Sequence, residues 1–153
     1  GEQIFPEREL LSFEKEPASA EAAAALGLPR GGQSNVFRIG CLLTVAGKPA
    51  ATLDIALPAA KFAGLTAKAV REGTENLYAV YQDVCGINVI RVEEQVGAAL
   101  AKPATARALK IAAGSPVLRV ERIAYTYNET PVEYRVRFFS GEAYRYRCSE
   151  GGV

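Results

Sequence analysis

Hydrophobic and polar positions alternate over two long stretches of this chain, and each stretch is followed by a turn and a second alternating run. From Val36 to Val45, the residues Phe37, Ile39, Cys41, Leu43 and Val45 make one wholly apolar face, which predicts a strand buried on one side. The turn Ala46-Gly47-Lys48-Pro49 leads into Ala50 to Leu57, so the two runs read as a hairpin that Pro58 ends. The pattern returns after Pro116: Val117 to Tyr125 is turned by Asn128-Glu129-Thr130 into Pro131 to Phe139. Further strands are predicted at Leu10 to Glu14, Ile87 to Val96 and Ala143 to Cys148. Ser19 is placed to cap a helix over Ala20 to Leu26, with Gly27 at its end. Ala59 to Arg71 reads as partly helical, broken near Gly64, and Thr74 as the cap of a firmer helix, Glu75 to Val84, closed by Gly86. On that helix Leu77, Tyr78, Tyr81 and Val84 share a face. A last helix is predicted from about Ala104 to Leu109.

The order strand, short alanine-rich helix, glycine, long hairpin occurs twice. Leu26 answers Leu109, Gly31 answers Gly114, Val36 answers Val117 and Pro49 answers Pro131, at offsets of 83, 83, 81 and 82 residues. Chance likeness between two amphipathic hairpins is one explanation. The other is two equivalent halves whose hairpins share a single antiparallel sheet, joined by the helical middle, with the helices gathered on one side: an α+β fold. A hairpin alone is marginal in water, so the halves must pack as one domain.

Composition narrows the chemistry. The chain has 153 residues, 18 basic and 17 acidic, a net charge of +1, and no cluster of lysine or arginine in its sequence. That balance argues against direct phosphate-backbone binding to nucleic acid. No run approaches the ~20 apolar residues of a membrane helix. Histidine is absent, which removes Ser-His-Asp and Cys-His catalysis and most catalytic zinc sites. The three cysteines, Cys41, Cys85 and Cys148, form no C-x-x-C pair and read as reduced thiols of a cytoplasmic protein. No catalytic group, metal or cofactor is expected. Methionine is absent and the chain opens on glycine, which suggests a segment of a longer protein.

Several features carry a resemblance in their order and spacing. They are Pro17-Ala18, then Leu26-Gly27-Leu28, the hairpin turn Gly47-Lys48-Pro49 and Leu57-Pro58. Asn76-Leu77-Tyr78, Gly86-Ile87, Gly114-Ser115-Pro116-Val117-Leu118, Arg122 and Pro131-Val132-Glu133-Tyr134 complete the set. In these the chain resembles the UTRA domain, the effector-binding module of HutC-type regulators of the GntR superfamily. The resemblance implies a chorismate-lyase-like fold, a homodimer and a non-catalytic role: binding a small metabolite to control a winged-helix DNA-binding domain that normally precedes this one. Residues 1–153 would be the single ligand-binding domain.

Many members of that family clamp an anionic head group with an Arg-x-Arg pair on the first hairpin, at the positions of Cys41 and Leu43 here. Leu53, Ala56 and Phe139 likewise stand where the resemblance implies a glutamate, a tyrosine and an aromatic hydroxyl. Losing these contacts together argues against a phosphosugar and for a small organic effector that is not phosphorylated, in a mostly apolar cavity. Candidate ligand-binding residues are Asn76 and Tyr78 at a helix start, Glu133, Arg135 and Arg137 on one strand face, and Phe139, Cys41 and Leu43 around them. Plainer readings stand beside these. Tyr78 fits a core position, Arg135 and Arg137 alternate with Val136 and Phe138 as on any strand with one wet face, and Glu133 has arginines to pair with. Cys41 as a thiol sensor lacks neighbours that would lower its pKa. Two other roles remain open: a chorismate-lyase-like enzyme using Glu133 as a buried acid, and a dimerisation module with a vestigial pocket.

Overall fold

The computed structural model describes residues 6–30, 33–73 and 75–141. Six strands form one antiparallel sheet: β1 (Glu7–Pro17), β2 (Asn35–Val45), β3 (Lys48–Pro58), β4 (Arg91–Leu100), β5 (Pro116–Thr126) and β6 (Thr130–Ser140). Their spatial order, β1-β2-β3-β6-β5-β4, places the two hairpins side by side, with β3 against β6 at the centre. The doubled sequence pattern is therefore a doubled backbone. Leu53 pairs with Arg137 and Ile55 with Arg135, so exchanging the halves maps each pair onto the other, and Asp54 opposite Val136 lies on the exchange axis.

Local chemistry makes these elements. Ala46 and Gly47 both take positive φ (51° and 76°), the left-handed pair that closes a two-residue hairpin between β2 and β3. β1 pairs with β2 along its length, with a bulge between Leu10 and Ser12. Gly40 lies opposite Ser12, and a Cβ there would stand 2.6 Å from Ser12 Oγ, so any larger residue would make the serine side chain turn away. Helix α1 (Ala20–Leu26) is capped by Ser19, whose side chain accepts from the Ala22 amide, and Gly27 closes it in the left-handed conformation. Helices α2 (Ala67–Glu72) and α3 (Leu77–Cys85) link the halves, and α4 (Pro103–Leu109) precedes β5.

Several expectations need correction. The helices lie on both faces of the sheet, not on one. Ala22 and Leu26 of α1 pack on Val36, Ala56 and Tyr134, and Ala106 and Leu109 of α4 on Val117 and Phe138. The opposite face carries the main core, where Ile39, Leu53, Ile55 and Leu57 meet Phe62, Val70, Leu77 and Tyr81 of the α2–α3 region. The fourth strand starts at Arg91, not Ile87, because Gly86 turns the chain out of α3 and Ile87 and Val89 pack into the main core as a connector. Asn76 caps α3, its side-chain oxygen accepting from the Ala79 amide at 3.2 Å, so the helix begins at Leu77 and not at the expected Glu75. Thr74, Gly31 and the strand expected at Ala143 to Cys148 lie outside the described residues.

Candidate functional site

The alternation of β6 sends Tyr134, Val136 and Phe138 toward α1 and α4, and Glu133, Arg135 and Arg137 toward α3. Glu133 is fully buried and Arg135 is 5% exposed, so this strand face is not a wet one. A buried charge needs a partner and hydrogen bonds, and Glu133 has four donors. Arg135 Nε and Nη2 donate to its two oxygens at 2.9 and 3.0 Å, the Tyr81 hydroxyl donates at 2.6 Å and the Tyr78 hydroxyl at 3.2 Å. Burial lowers the proton affinity of Arg135, but Glu133 and the tyrosines outweigh it and the net shift is upward. Burial, and then Glu133, push both tyrosine hydroxyls above their ordinary range. The Arg135 guanidinium also lies 5.3 Å from the centre of the Tyr78 ring.

Beside this knot runs a second one. Arg122 Nε donates to Glu94 at 2.8 Å, and an Arg122 terminal nitrogen donates to the Tyr78 hydroxyl at 3.1 Å. Arg137 approaches the same Glu94 oxygen at 3.2 Å. Arg137 Nε is buried without a hydrogen-bond partner, and its guanidinium carbon lies 5.6 Å from the Phe139 ring centre. Burial first, then Arg122, lower the proton affinity of Arg137. From the far edge β1 brings Arg8, register partner of Leu43, whose proton affinity falls through burial and then Arg135. Arg8, Arg122, Arg135 and Arg137 thus converge with Glu94 and Glu133 in a partly dry site, where Arg122 and Arg137 share Glu94.

The expected site residues divide accordingly. Tyr78, Glu133, Arg135 and Arg137 come together, with Phe139 under Arg137. Asn76 stands at the same end of α3, its side-chain oxygen used as the cap. Cys41 and Leu43 are part of the apolar floor. Burial raises the Cys41 thiol although Arg8 and Arg135 oppose the shift, so the expectation that nothing there lowers its pKa is corrected, while the net direction stands. Ala56 is on the opposite face, packed under α1, and is not part of this site.

Sequence reasoning missed Arg8, Arg122, Glu94 and Tyr81 as site members. Arg122 was legible as the second-half equivalent of Cys41. Arg8 falls two residues before the strand expected at Leu10.

A cavity of about 160 Å³ opens at the start of α3, lined by Arg8, Glu75, Asn76, Leu77, Tyr78 and Arg135. This cavity, unlike the mostly apolar one expected, has a charged lining that comes from non-local pairing, which alternation along one strand does not reveal. A larger hollow of about 920 Å³ lies on the other face between α1 and α4. Its main charges are already matched: Arg38 with Asp54 at 2.7 Å and Arg119 with Glu121 at 2.9 Å. Among the described residues no group of three or more His, Cys, Asp or Glu could hold a metal ion.

The defining pattern of the UTRA domain matches residues 2–145. The chain belongs to the UTRA domain family. This is the effector-binding domain of GntR-family transcriptional regulators, and its relatives carry such names. The UTRA chain is 30% identical over 146 residues to the HTH-type transcriptional regulator Rv0792c of Mycobacterium tuberculosis, covering 94% of this chain and 52% of that protein, so it spans about half of it. Its fold matches the ligand-binding domain of a protein assigned to the GntR-family regulators of Bordetella bronchiseptica (TM-score 0.88, 33% identity, 99% of this chain and 92% of that one). It also matches a protein from Streptomyces coelicolor assigned as a transcriptional regulator (TM-score 0.80, 29% identity, 94% and 91% covered).

Proposed function

We propose that this UTRA domain is the effector-sensing and dimerising part of a cytoplasmic HutC-type regulator, and that a small, non-phosphorylated organic anion binds between α3 and β6. The observation that carries this reading is the convergence of Arg122, Arg135 and Arg137 on the α3 side, where Arg122 and Arg137 share the one carboxylate of Glu94. An anion entering there relieves repulsion among guanidinium groups that burial has already deprived of water. Phosphate is disfavoured because Arg135 is committed to Glu133, and Arg122 and Arg137 to Glu94, leaving too few donors for three oxygens. DNA binding would reside in a winged-helix domain within the half of the relative's length that this chain does not span. No helix among the described residues is long and apolar enough to cross a membrane, in keeping with a regulator in the cytoplasm.

The mechanism is a population shift. The ligand binds one dimer geometry better, with a coupling of about 1–3 kcal/mol, and so alters the spacing of the DNA-binding heads. The test is a melting-temperature screen of this chain against non-phosphorylated acids, amines and sugars, followed by DNA binding of the longer protein with and without the hit. An acid that raises the melting temperature and changes DNA affinity is expected. Unchanged DNA affinity at saturating ligand overturns the switch.

One observation favours a second reading, a chorismate-lyase-like enzyme: a buried acid, Glu133, does stand beside arginines. Both of its oxygens already accept hydrogen bonds, which suits a fixed counter-charge better than a proton-transfer group. Pyruvate released from chorismate by the purified chain would establish the enzyme reading instead.

A further inference from the structure

The two edges of the sheet are protected differently. An edge strand presents unpaired N–H and C=O groups that another chain can bond to, and charge, bulges and proline are the usual defence. β1 has all three: Glu7, Arg8, Glu9, Glu14, Lys15 and Glu16, a bulge between Leu10 and Ser12, and Pro17 at its end. β4, the other edge among the described residues, holds neither proline nor lysine, and its register with β5 runs unbroken from Arg91 to Leu100. Along it Val92, Val96 and Leu100 are 41, 63 and 68% exposed, four residues apart and so on one face. The phase of the ladder is fixed at both ends. The Ala101 amide donates to the Ser115 carbonyl at 2.8 Å and the Ile90 amide to the Tyr125 carbonyl at 2.9 Å, so odd-numbered residues of β5 face β4. Their register partners on β4 are odd-numbered too, which turns the amides and carbonyls of Val92, Glu94, Val96, Ala98 and Leu100 outward.

We propose that β4 is the surface on which two copies of this chain join, strand against strand and antiparallel, about a two-fold axis at Val96. The inference rests on the dimerising role above and adds the surface and the register. The strand is complementary to itself. With Val96 opposite its own copy, Val92 meets Leu100 and Leu100 meets Val92, so each exposed aliphatic side chain faces another. Every outward amide and carbonyl from Val92 to Leu100 gains a partner in the same register. No charges are opposed, because Glu93 falls against Ala99, Glu94 against Ala98 and Gln95 against Gly97. Neighbouring registers are worse. An axis at Glu94 opposes two carboxylates, axes at Gln95 or Gly97 set Glu94 against Val96 or Leu100, and one at Ala98 carries Val92 past the other copy's strand end. Pairing one strand with its own copy closes the assembly at two and covers the open edge. Glu94, which holds Arg122 and Arg137, lies on this strand, so the ion-pair network and the interface share one backbone.

Sedimentation velocity of the chain over a dilution series tests this. The wild type is expected to dimerise. Val96→Lys and Val96→Glu each set like charges face to face on the axis and should weaken association at least about tenfold. Their circular dichroism should stay that of the wild type, because the position is exposed. An equimolar mixture of the two variants should associate again, since at the axis residue 96 meets residue 96 and the charges are then opposite. Hydrogen exchange at the amides of Val92, Val96 and Leu100 should slow as protein concentration rises. Either variant associating within about twofold of wild type overturns the β4 surface and leaves the dimerising role standing. A mixture that stays monomeric overturns the axis at Val96. Protection of those amides that is the same at every concentration puts another segment of the same chain on this edge and overturns the second copy as its occupant. A wild-type chain that is monomeric throughout overturns the surface and the dimerising role together.

Discussion

The two halves of the sheet follow one path with opposite chemistry on the α3 face. Through the strand register, Cys41 and its partner Leu10 occupy the places that Arg122 and Glu94 hold in the second half. Leu53 likewise corresponds to Arg135, Ala51 to Glu133 and Ile55 to Arg137. The first half buries hydrocarbon at these places, and the second buries an ion-pair network. Backbone hydrogen bonding is satisfied equally in both, so the pairing does not dictate the side chains. The apolar half supplies cohesion by burial, and the charged half, stabilised by its own partners, is where the proposed effector would be recognised.

Removing the central anion is the most damaging way to break that contrast. Glu133→Ala leaves the Arg135 guanidinium buried and unmatched and should cost about 3–5 kcal/mol in denaturant unfolding. Cys41→Arg, which copies the second half's charge into the first, should destabilise strongly. Adding Leu10→Glu should recover part of the loss if the cross-strand pair forms as Arg122–Glu94 does, measured by melting temperature. Tyr81→Phe removes one hydrogen bond to a charged oxygen and should cost about 1.5–3 kcal/mol. Arg122→Met should change stability by no more than about 1 kcal/mol, because that pair is part-exposed and Glu94 keeps Arg137.

Acidity sharpens the comparison further. Glu94 lies below its ordinary value of 4.5: burial would raise it, but Arg122 and Arg137 outweigh that, and Glu121 is lowered by its hydrogen bonds from Arg119 and Tyr134. A carboxylate with a depressed pKa in the folded state contributes stability that is present above its unfolded value and lost as the pH falls through the folded one. Unfolding followed against pH should therefore show stability declining below about pH 4.5. Glu94→Gln and Glu121→Gln should each flatten that decline.

What the sequence revealed and what it hid divide along the range of the interactions. Ser19, Gly27 and Gly86 mark their helix ends through bonds a few residues long, and the β2–β3 hairpin shows itself by alternation over a turn. Tyr78 and Glu133 are legible through motifs, and Arg135 and Arg137 through alternation on the strand that carries Glu133. Their burial is not. Arg135 alternating with Val136 looks the same whether its face meets water or meets α3, and only the α2–α3 segment, folding back from far along the chain, decides. The same holds for the connector Ile87 to Ile90, apolar enough for a strand but used as packing, and for Arg8, which reaches the site because β1 extends three residues earlier than its apolar pattern.

β6 pairs with β5 along its length and with β3 from Tyr134 to Phe139. Groups mounted there cannot drift without tearing two ladders at once, so Arg135 and Arg137, with Glu133 tied to Arg135, stand as a jig cut before any visitor arrives. A visitor meeting a ready-made shape forfeits little freedom on arrival, and a near-miss finds no give. Discrimination between look-alike molecules should then show in how long each stays, more than in how fast it comes.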